Sequence, residues 1–150
     1  FSKIPNLNVK LYGGGFCEQS IRDLVKELGL EKSIHFFNPV PRKEIPSILS
    51  KSLVGIVSTE DNDGVRSAIP TKTFEYFACS LPVFAYGRSD ELKRIIKESE
   101  AGIYIDGNNH EEIGNSLIEL LGDEDKLKKY CLNGRKFMER KIDFSFLKEI

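Results

Sequence analysis

Nowhere does this sequence carry the uninterrupted run of about 18 apolar residues that a membrane-crossing helix needs. Its opening, FSKIPNLNVK, lacks the charged-then-apolar order of a secretory signal, so a soluble chain is expected. Net charge is missing too: 22 Lys and Arg stand against 23 Asp and Glu, a formal charge of -1. The whole-molecule field therefore does not recruit nucleic acid, and any anion site has to be local. Cysteine is scarce and odd in number. Cys17, Cys79 and Cys131 lie far apart without a C-x-x-C pair, and only His35 and His110 could join them. That argues against a disulfide framework or a zinc site and for reduced, cytosolic thiols. With two scattered histidines, no Ser/His/Asp or Cys/His constellation can be drawn, and no catalytic residue is singled out.

What is present is a length of 150 residues, one domain by size and enough to bury a core without staples. The chain starts at Phe1 with no Met, and PNLNVKLYGGG reads as the entrance to a strand already inside a fold, as in part of a longer protein. The stretch NVKLY (8–12) is a strand running into the Gly13 turn. Ile21, Leu24, Val25 and Leu28 then repeat at helical spacing, with Gly29 at the C-terminal cap. SIHFF (33–37) is a strand, and RKEIPSILS a short helix kinked or started by Pro46. LVGIVS (53–58) is a continuous apolar run, the mark of a strand covered on both faces.

After the polar loop TEDNDGVRSAI come a helix from Pro70 to about Cys79 and a strand at LPVFAY. Ser89 can cap a helix that carries Asp90 and Glu91 in its first turn and Leu92, Ile95 and Ile96 on its inner face. AGIYI (101–105) is a further strand. The remainder is helical, broken at GDED and continuing to about Lys141. This alternation predicts one doubly wound, Rossmann-like α/β domain over 1–150: a mainly parallel sheet between helical layers, a three-layer sandwich.

In such sheets ligands bind beyond the carboxyl ends of the strands. That rule selects the loops at 13–17, 38–42, 58–69 and 86–89. Gly13 and Gly14 allow a ligand close to the backbone, although GGGF is neither G-x-G-x-x-G nor a Walker loop, and a plain strand-to-helix turn explains it equally well. Asp61 and Asp63 have the D-x-D spacing of a metal bridged to a diphosphate, but acidic residues beside a glycine are the commoner ordinary loop chemistry. Lys72 and Glu75 stand three residues apart on a helix, where a surface ion pair is the ordinary reading, worth about 0.2–0.5 kcal/mol. Their place at the ligand edge offers another. A carboxylate can accept two hydrogen bonds from a vicinal diol such as ribose, and an ammonium can offset phosphate charge.

The stretch IPTKTFEYFACSLPVFAYG resembles the P-s-K-x-x-E-Y-x-A-x-G-x-P-V block of the group-1 glycosyl transferases, retaining, nucleotide-sugar-dependent enzymes with two facing Rossmann-like domains (a GT-B fold). Pro70, Lys72, Glu75, Tyr76, Ala78, Pro82 and Val83 match it. VKLYGGG, LGLEKSIHFFNPVPRKEIPSIL and AGIYIDGNNHEEIGNSLIELLGD resemble flanking family segments in the same order, so the likeness covers about 7–146. It implies the C-terminal, donor-binding half of a GT-B enzyme of polysaccharide or lipopolysaccharide assembly, with the acceptor domain outside this chain.

The resemblance implies that Glu75 holds the ribose hydroxyls and that Lys72 lies near the diphosphate. It implies backbone contacts from Ser67, Ala68, Ile69 and Thr71 to donor sugar and phosphate, and contacts around Val40 and Arg42 to the base. It implies no metal and no cofactor besides the sugar donor, a glycan or lipid-linked acceptor, no nucleic acid, and a cytoplasmic enzyme with room for peripheral association at the inner face of the membrane. The fragment alone is expected to transfer nothing.

Three departures stand out. Ser67 occupies the place of the family's first glutamate, whose task passes to Glu60 or Asp63 or is lost, and Ser80 and Asn38 replace usual glycines. Rival α/β enzymes are less well matched: no Tyr-x-x-x-Lys with an early G-x-x-G-x-x-G supports an epimerase. A receiver module would need an aspartate where Ser58 and Thr59 stand. A non-enzymatic nucleotide- or partner-binding module is the remaining alternative.

Overall fold

Glycines mark both ends of the first helix. In the computed structural model, which describes residues 6–59 and 67–141, strand β1 (Val9–Tyr12) runs into Gly13 at φ 124°. The helix that follows, α1 (Glu18–Glu27), ends at Gly29 with φ 64°. Gly29 N–H donates to Lys26 O and Leu30 N–H to Val25 O, the paired bonds of a left-handed C-terminal cap, which glycine adopts without a Cβ penalty. Strand β2 (Ile34–Phe37) pairs parallel with β1, Val9 opposite Ile34. Tyr12 stacks on Phe37, and the Arg22 guanidinium lies 4.2 Å over the Phe36 ring. The periodicity in α1 correctly marks a helix, but only Val25 is buried there; Ile21, Leu24 and Leu28 remain exposed.

The chain divides between Ile45 and Pro46 into two compact units, and all of the above belongs to the first. At the division a single 3-10 turn (Arg42–Glu44) leads into α2 (Ile45–Leu49). Pro46 sits in the first turn of α2, where no backbone N–H is needed, so it starts this helix rather than kinking it.

The second unit holds β3 (Gly55–Ser58), α3 (Lys72–Ala78), β4 (Val83–Gly87), α4 (Asp90–Ser99), β5 (Gly102–Asp106), α5 (His110–Gly122) and α6 (Glu124–Lys141). Its three strands form a parallel sheet in the order β3-β4-β5, so the expected parallel α/β architecture takes the form of two sheets. Side chains alternate across a strand, and β4 sorts the core accordingly. Val83 and Ala85 join Val57, Phe77, Leu92, Ile95, Ile96 and Ala101 on one face. Phe84 joins Ile105, Leu117 and Leu120 on the other. Helices therefore cover both faces of this sheet. Helix α6 serves both: Leu127 and Tyr130 pack on the second cluster, Phe137 and Met138 on the first.

The inner face predicted for α4 is correct, with Leu92, Ile95 and Ile96 all buried and Ser89 Oγ accepting from Leu92 N–H at 3.2 Å. The expectation for 53–58 needs correction. The strand begins only at Gly55, and Leu53, which precedes it and so has no place in the sheet, is 70% exposed. Gly55 and Val57 are buried, Ile56 half-buried and Ser58 exposed, so the run is not covered throughout. Among the described residues no helix is long and apolar enough to cross a membrane.

Candidate functional site

Helix α3 is placed by its apolar residues and by an unusual end. Phe77 is fully buried and meets Phe137 edge-on at 5.8 Å, with Thr73 one turn earlier equally buried. Phe74 and Ala78 are half-buried beside them. Thr73 was not expected there, because a hydroxyl carries no hydrophobic signal; its Oγ1 has no hydrogen-bond partner among the described residues. Gly55 admits the Tyr76 ring, and Gly134 of α6 comes within 3.2 Å of the Phe77 ring at the point where a Cβ would stand. The helix ends through Ser80 at φ 55°, with Ser80 N–H on Phe77 O and Leu81 N–H on Tyr76 O. Serine thus fills the left-handed cap position where glycine is cheaper. Arg135 of α6 donates to Ala78 O at 2.9 Å and satisfies a carbonyl of the last turn.

On this frame Lys72 is exposed and Glu75 half-buried. Elsewhere, helix-surface carboxylates are taken by arginines on the same helix: Arg22 holds Glu18 at 2.7 Å, and Arg94 holds Glu91 and Glu98 at 2.6 and 2.7 Å. Lys72 and Glu75 have the same chance and do not take it. Among the described residues neither side chain enters an ion pair or a hydrogen bond. The ordinary reading of the pair as a surface ion pair is therefore not what the structure shows. The charge of Glu75 reaches its neighbours instead. Burial first, and Glu75 second, push the Tyr76 phenol and the Cys79 thiol above their usual ranges, with Arg135 partly opposing this at Cys79. The three cysteines are unpaired.

The loop leading into α3 lies at the carboxyl edge of the three-stranded sheet and is anchored there. Ser89 Oγ donates to Ala68 O at 2.9 Å. Ser89 N–H donates to the Tyr104 hydroxyl at 2.8 Å, and that hydroxyl donates to Gly87 O at 2.9 Å. Gly87 O also accepts from Gly107 N–H at 2.8 Å, and Thr59 N–H donates to Tyr86 O at 3.0 Å. Gly87, at φ 122°, allows this closeness: a Cβ there would stand 2.3 Å from Thr59 O. Among the described residues no backbone bond engages the N–H groups of Ser67, Ala68, Ile69, Thr71 or Lys72. Ser67, Ala68, Thr71 and Lys72 are exposed.

The structure thus brings Ser67, Ala68, Ile69, Thr71, Lys72 and Glu75 together in the second unit. Gly13, Gly14, Val40 and Arg42 lie in the first. There the Glu18 carboxylate sits 3.1 Å from where a Cβ of Gly14 would stand, so an anion at that turn has to share space with an acid. Val40 is half-buried and Arg42 exposed. Glu60, Asp61 and Asp63, the alternative sugar and metal ligands, lie outside the described residues. The sequence marked Ser89 only as a cap and gave no sign of the link from Tyr104 to the loop; a hydroxyl residue just past a strand's carboxyl end was the one available hint. A surface hollow at the α5–α6 turn is lined by Glu119, Asp123, Glu124 and Asp125, an acidic setting that repels a diphosphate.

Comparisons with known proteins point the same way as the geometry. The family described as glycosyl transferases group 1 matches residues 1–137. An uncharacterized glycosyltransferase of Haemophilus influenzae is 28% identical over 121 residues, covering 81% of this chain and 32% of that protein. The chain therefore spans about a third of that relative's length. Among solved structures, sucrose-phosphate synthase from Thermosynechococcus elongatus superposes with a TM-score of 0.81 at 19% identity, over 97% of this chain and 37% of the other. WaaG, a glycosyltransferase involved in lipopolysaccharide biosynthesis, does so at 0.74 and 16% identity, over 88% and 34%. At such identities the likeness is one of fold, Rossmann-like with parallel sheets. The match over 1–137 decides the family: this chain belongs to the group-1 glycosyl transferases.

Proposed function

We propose that this chain is the donor-binding part of a retaining glycosyltransferase that moves a sugar from a nucleoside diphosphate sugar to a glycan or lipid-linked acceptor. The observation that carries the reading is that, among the described residues, Glu75 and Lys72 have no side-chain partner and the loop entering their helix has N–H groups with no backbone acceptor. Glu75 has two oxygens with which to accept hydrogen bonds from the ribose diol. Its half-buried position holds it on the helix while leaving it accessible.

The chemistry follows from where charge develops. As the bond between the anomeric carbon and the diphosphate oxygen breaks, negative charge grows on the leaving phosphate. Donors fixed beforehand stabilise that state more than the ground state. The N–H groups of Ser67, Ala68 and Ile69 are such donors, and the Lys72 ammonium adds a point charge. This reading uses no metal and no cofactor besides the donor. The candidates in the first unit, Gly13, Gly14, Val40 and Arg42, rest on the family resemblance, as does the place of the acceptor in a separate N-terminal domain. The full enzyme is then cytoplasmic, at the inner face of the membrane where its acceptor is lipid-linked.

Calorimetric titration with UDP, GDP and ADP tests the reading. One of them is expected to bind, weakly, with no sugar transfer by this chain alone. Absence of binding to all three in the millimolar range would favour a partner-binding module.

A further inference from the structure

One serine does two jobs that chemistry separates. Ser89 is 1% exposed, and its hydroxyl both accepts from Leu92 N–H and donates to Ala68 O. Capping α4 needs only an acceptor, which Asp or Asn supplies as well as Ser. Holding a carbonyl needs a proton to give, which a carboxylate lacks. The amides of Ser89 and Leu92 can only donate, so the Ser89 hydroxyl accepts from Leu92 N–H and donates to Ala68 O, and the Tyr104 hydroxyl accepts from Ser89 N–H and donates to Gly87 O.

We propose that Ser89, held by Tyr104, is a positioning residue for the donor diphosphate. It acts through the Ala68–Ile69 peptide, and the inference rests on the reading of the site given above. A trans peptide points its C=O and N–H in opposite directions, and the described chain contains no cis bonds. Pinning Ala68 O inward on Ser89 therefore turns Ile69 N–H outward. No protein acceptor takes that N–H among the described residues. The bond reaches across 21 positions of sequence, from the carboxyl end of β4 to the loop before α3. It fixes a donor in place before any ligand arrives, which is what stabilising a leaving diphosphate requires.

The test is Ser89→Gly, in which a glycine cap costs α4 little, with Ser89→Thr as the hydroxyl-keeping control. Tyr104→Phe gives a second route should Ser89→Gly fail to fold. Two readouts are needed: 15N order parameters of the Ala68 and Ile69 amides, and titrations with the nucleoside diphosphate and its parent nucleoside. In Ser89→Gly the order parameters are expected to fall from about 0.85 to below about 0.6. Diphosphate affinity is expected to drop about tenfold, the loss of one charge-assisted hydrogen bond, with nucleoside affinity unchanged and Thr restoring both values. Unchanged loop order in Ser89→Gly and Tyr104→Phe overturns the inference. So does a loosened loop with diphosphate affinity intact, an outcome that leaves the reading of the site standing. A wild-type chain that binds no nucleoside diphosphate refutes that reading and the inference with it.

Discussion

Replacing Gly55 by alanine puts a methyl group inside the Tyr76 ring. The new Cβ would stand 2.3 Å from Cδ2, 2.6 Å from Cε2 and 2.7 Å from Cγ. Ordinary contact begins at 3.4 Å, so the ring has to retreat by about 1 Å. Because Cγ, which lies on the axis of ring rotation about Cβ–Cγ, is itself only 2.7 Å away, rotating the ring gives no relief; either Tyr76 leaves its rotamer or α3 moves off β3. Overpacking of this kind costs about 1–3 kcal/mol. The backbone of Gly55 is not left-handed, so alanine also removes unfolded-state freedom, a gain of about 0.5–1 kcal/mol. The balance is a destabilisation of up to about 2.5 kcal/mol, which at roughly 2–4 °C per kcal/mol for a chain of this length lowers Tm by up to about 10 °C. The decisive comparison is made in a Tyr76→Ala background. There the clash is gone and the entropic gain stays, so Gly55→Ala should stabilise. Thermal unfolding followed by circular dichroism reads both changes. If Gly55→Ala lowers Tm equally in the two backgrounds, the packing argument is wrong.

Ser80→Gly should raise stability, by up to about 1 kcal/mol, since glycine escapes the left-handed cost of about 1–2 kcal/mol while losing some of that gain to chain entropy; urea midpoints measure it. Phe77→Ala empties the centre of the larger core cluster and should cost about 3–5 kcal/mol, a large fraction of the about 5–15 kcal/mol that holds a domain folded, read as a fall in the urea midpoint. Tyr76 and Cys79 are raised above their ordinary values of 10.0 and 9.0, so the unfolded chain loses these protons first. Their contribution to stability is then full below about pH 9 and lost as pH rises through and beyond 10, visible as a falling urea midpoint in that window alone. Glu75→Gln removes one cause of the Cys79 shift, so at fixed alkaline pH Cys79 should alkylate faster while Cys131, raised by burial without Glu75, keeps its rate. Peptide mass spectrometry separates the two sites.

The elements of this fold were legible in the sequence because each carries a local signal. Ser89 with Leu92, Ile95 and Ile96 announced α4, the Gly29 cap announced the end of α1, and LPVFAY announced the central strand of the larger sheet. What local pattern cannot supply is partnership. Helical spacing in α1 does not say that Leu24 and Leu28 stay exposed, and an apolar 53–58 does not say that Leu53 lies outside the strand. Strand pairing is a long-range choice, so the division into a two-stranded and a three-stranded sheet was not readable. Thr73 was missed because its burial is set by Phe77 one turn away, not by its own polarity. At the site, spacing alone left Lys72 and Glu75 free to pair or to remain open. The side-chain geometry decided between the two, and the same geometry revealed the bond from Ser89 to Ala68.

Nucleotide titration of wild type and Glu75→Ala, side by side with their melting temperatures, tests the central claim most directly. Whichever of UDP, GDP or ADP binds the wild type is expected to bind the variant about 10–100-fold more weakly, the worth of hydrogen bonds to a charged group. Tm should stay nearly unchanged, because Glu75 has no protein partner to lose among the described residues. Equal affinity in the two proteins would contradict that claim.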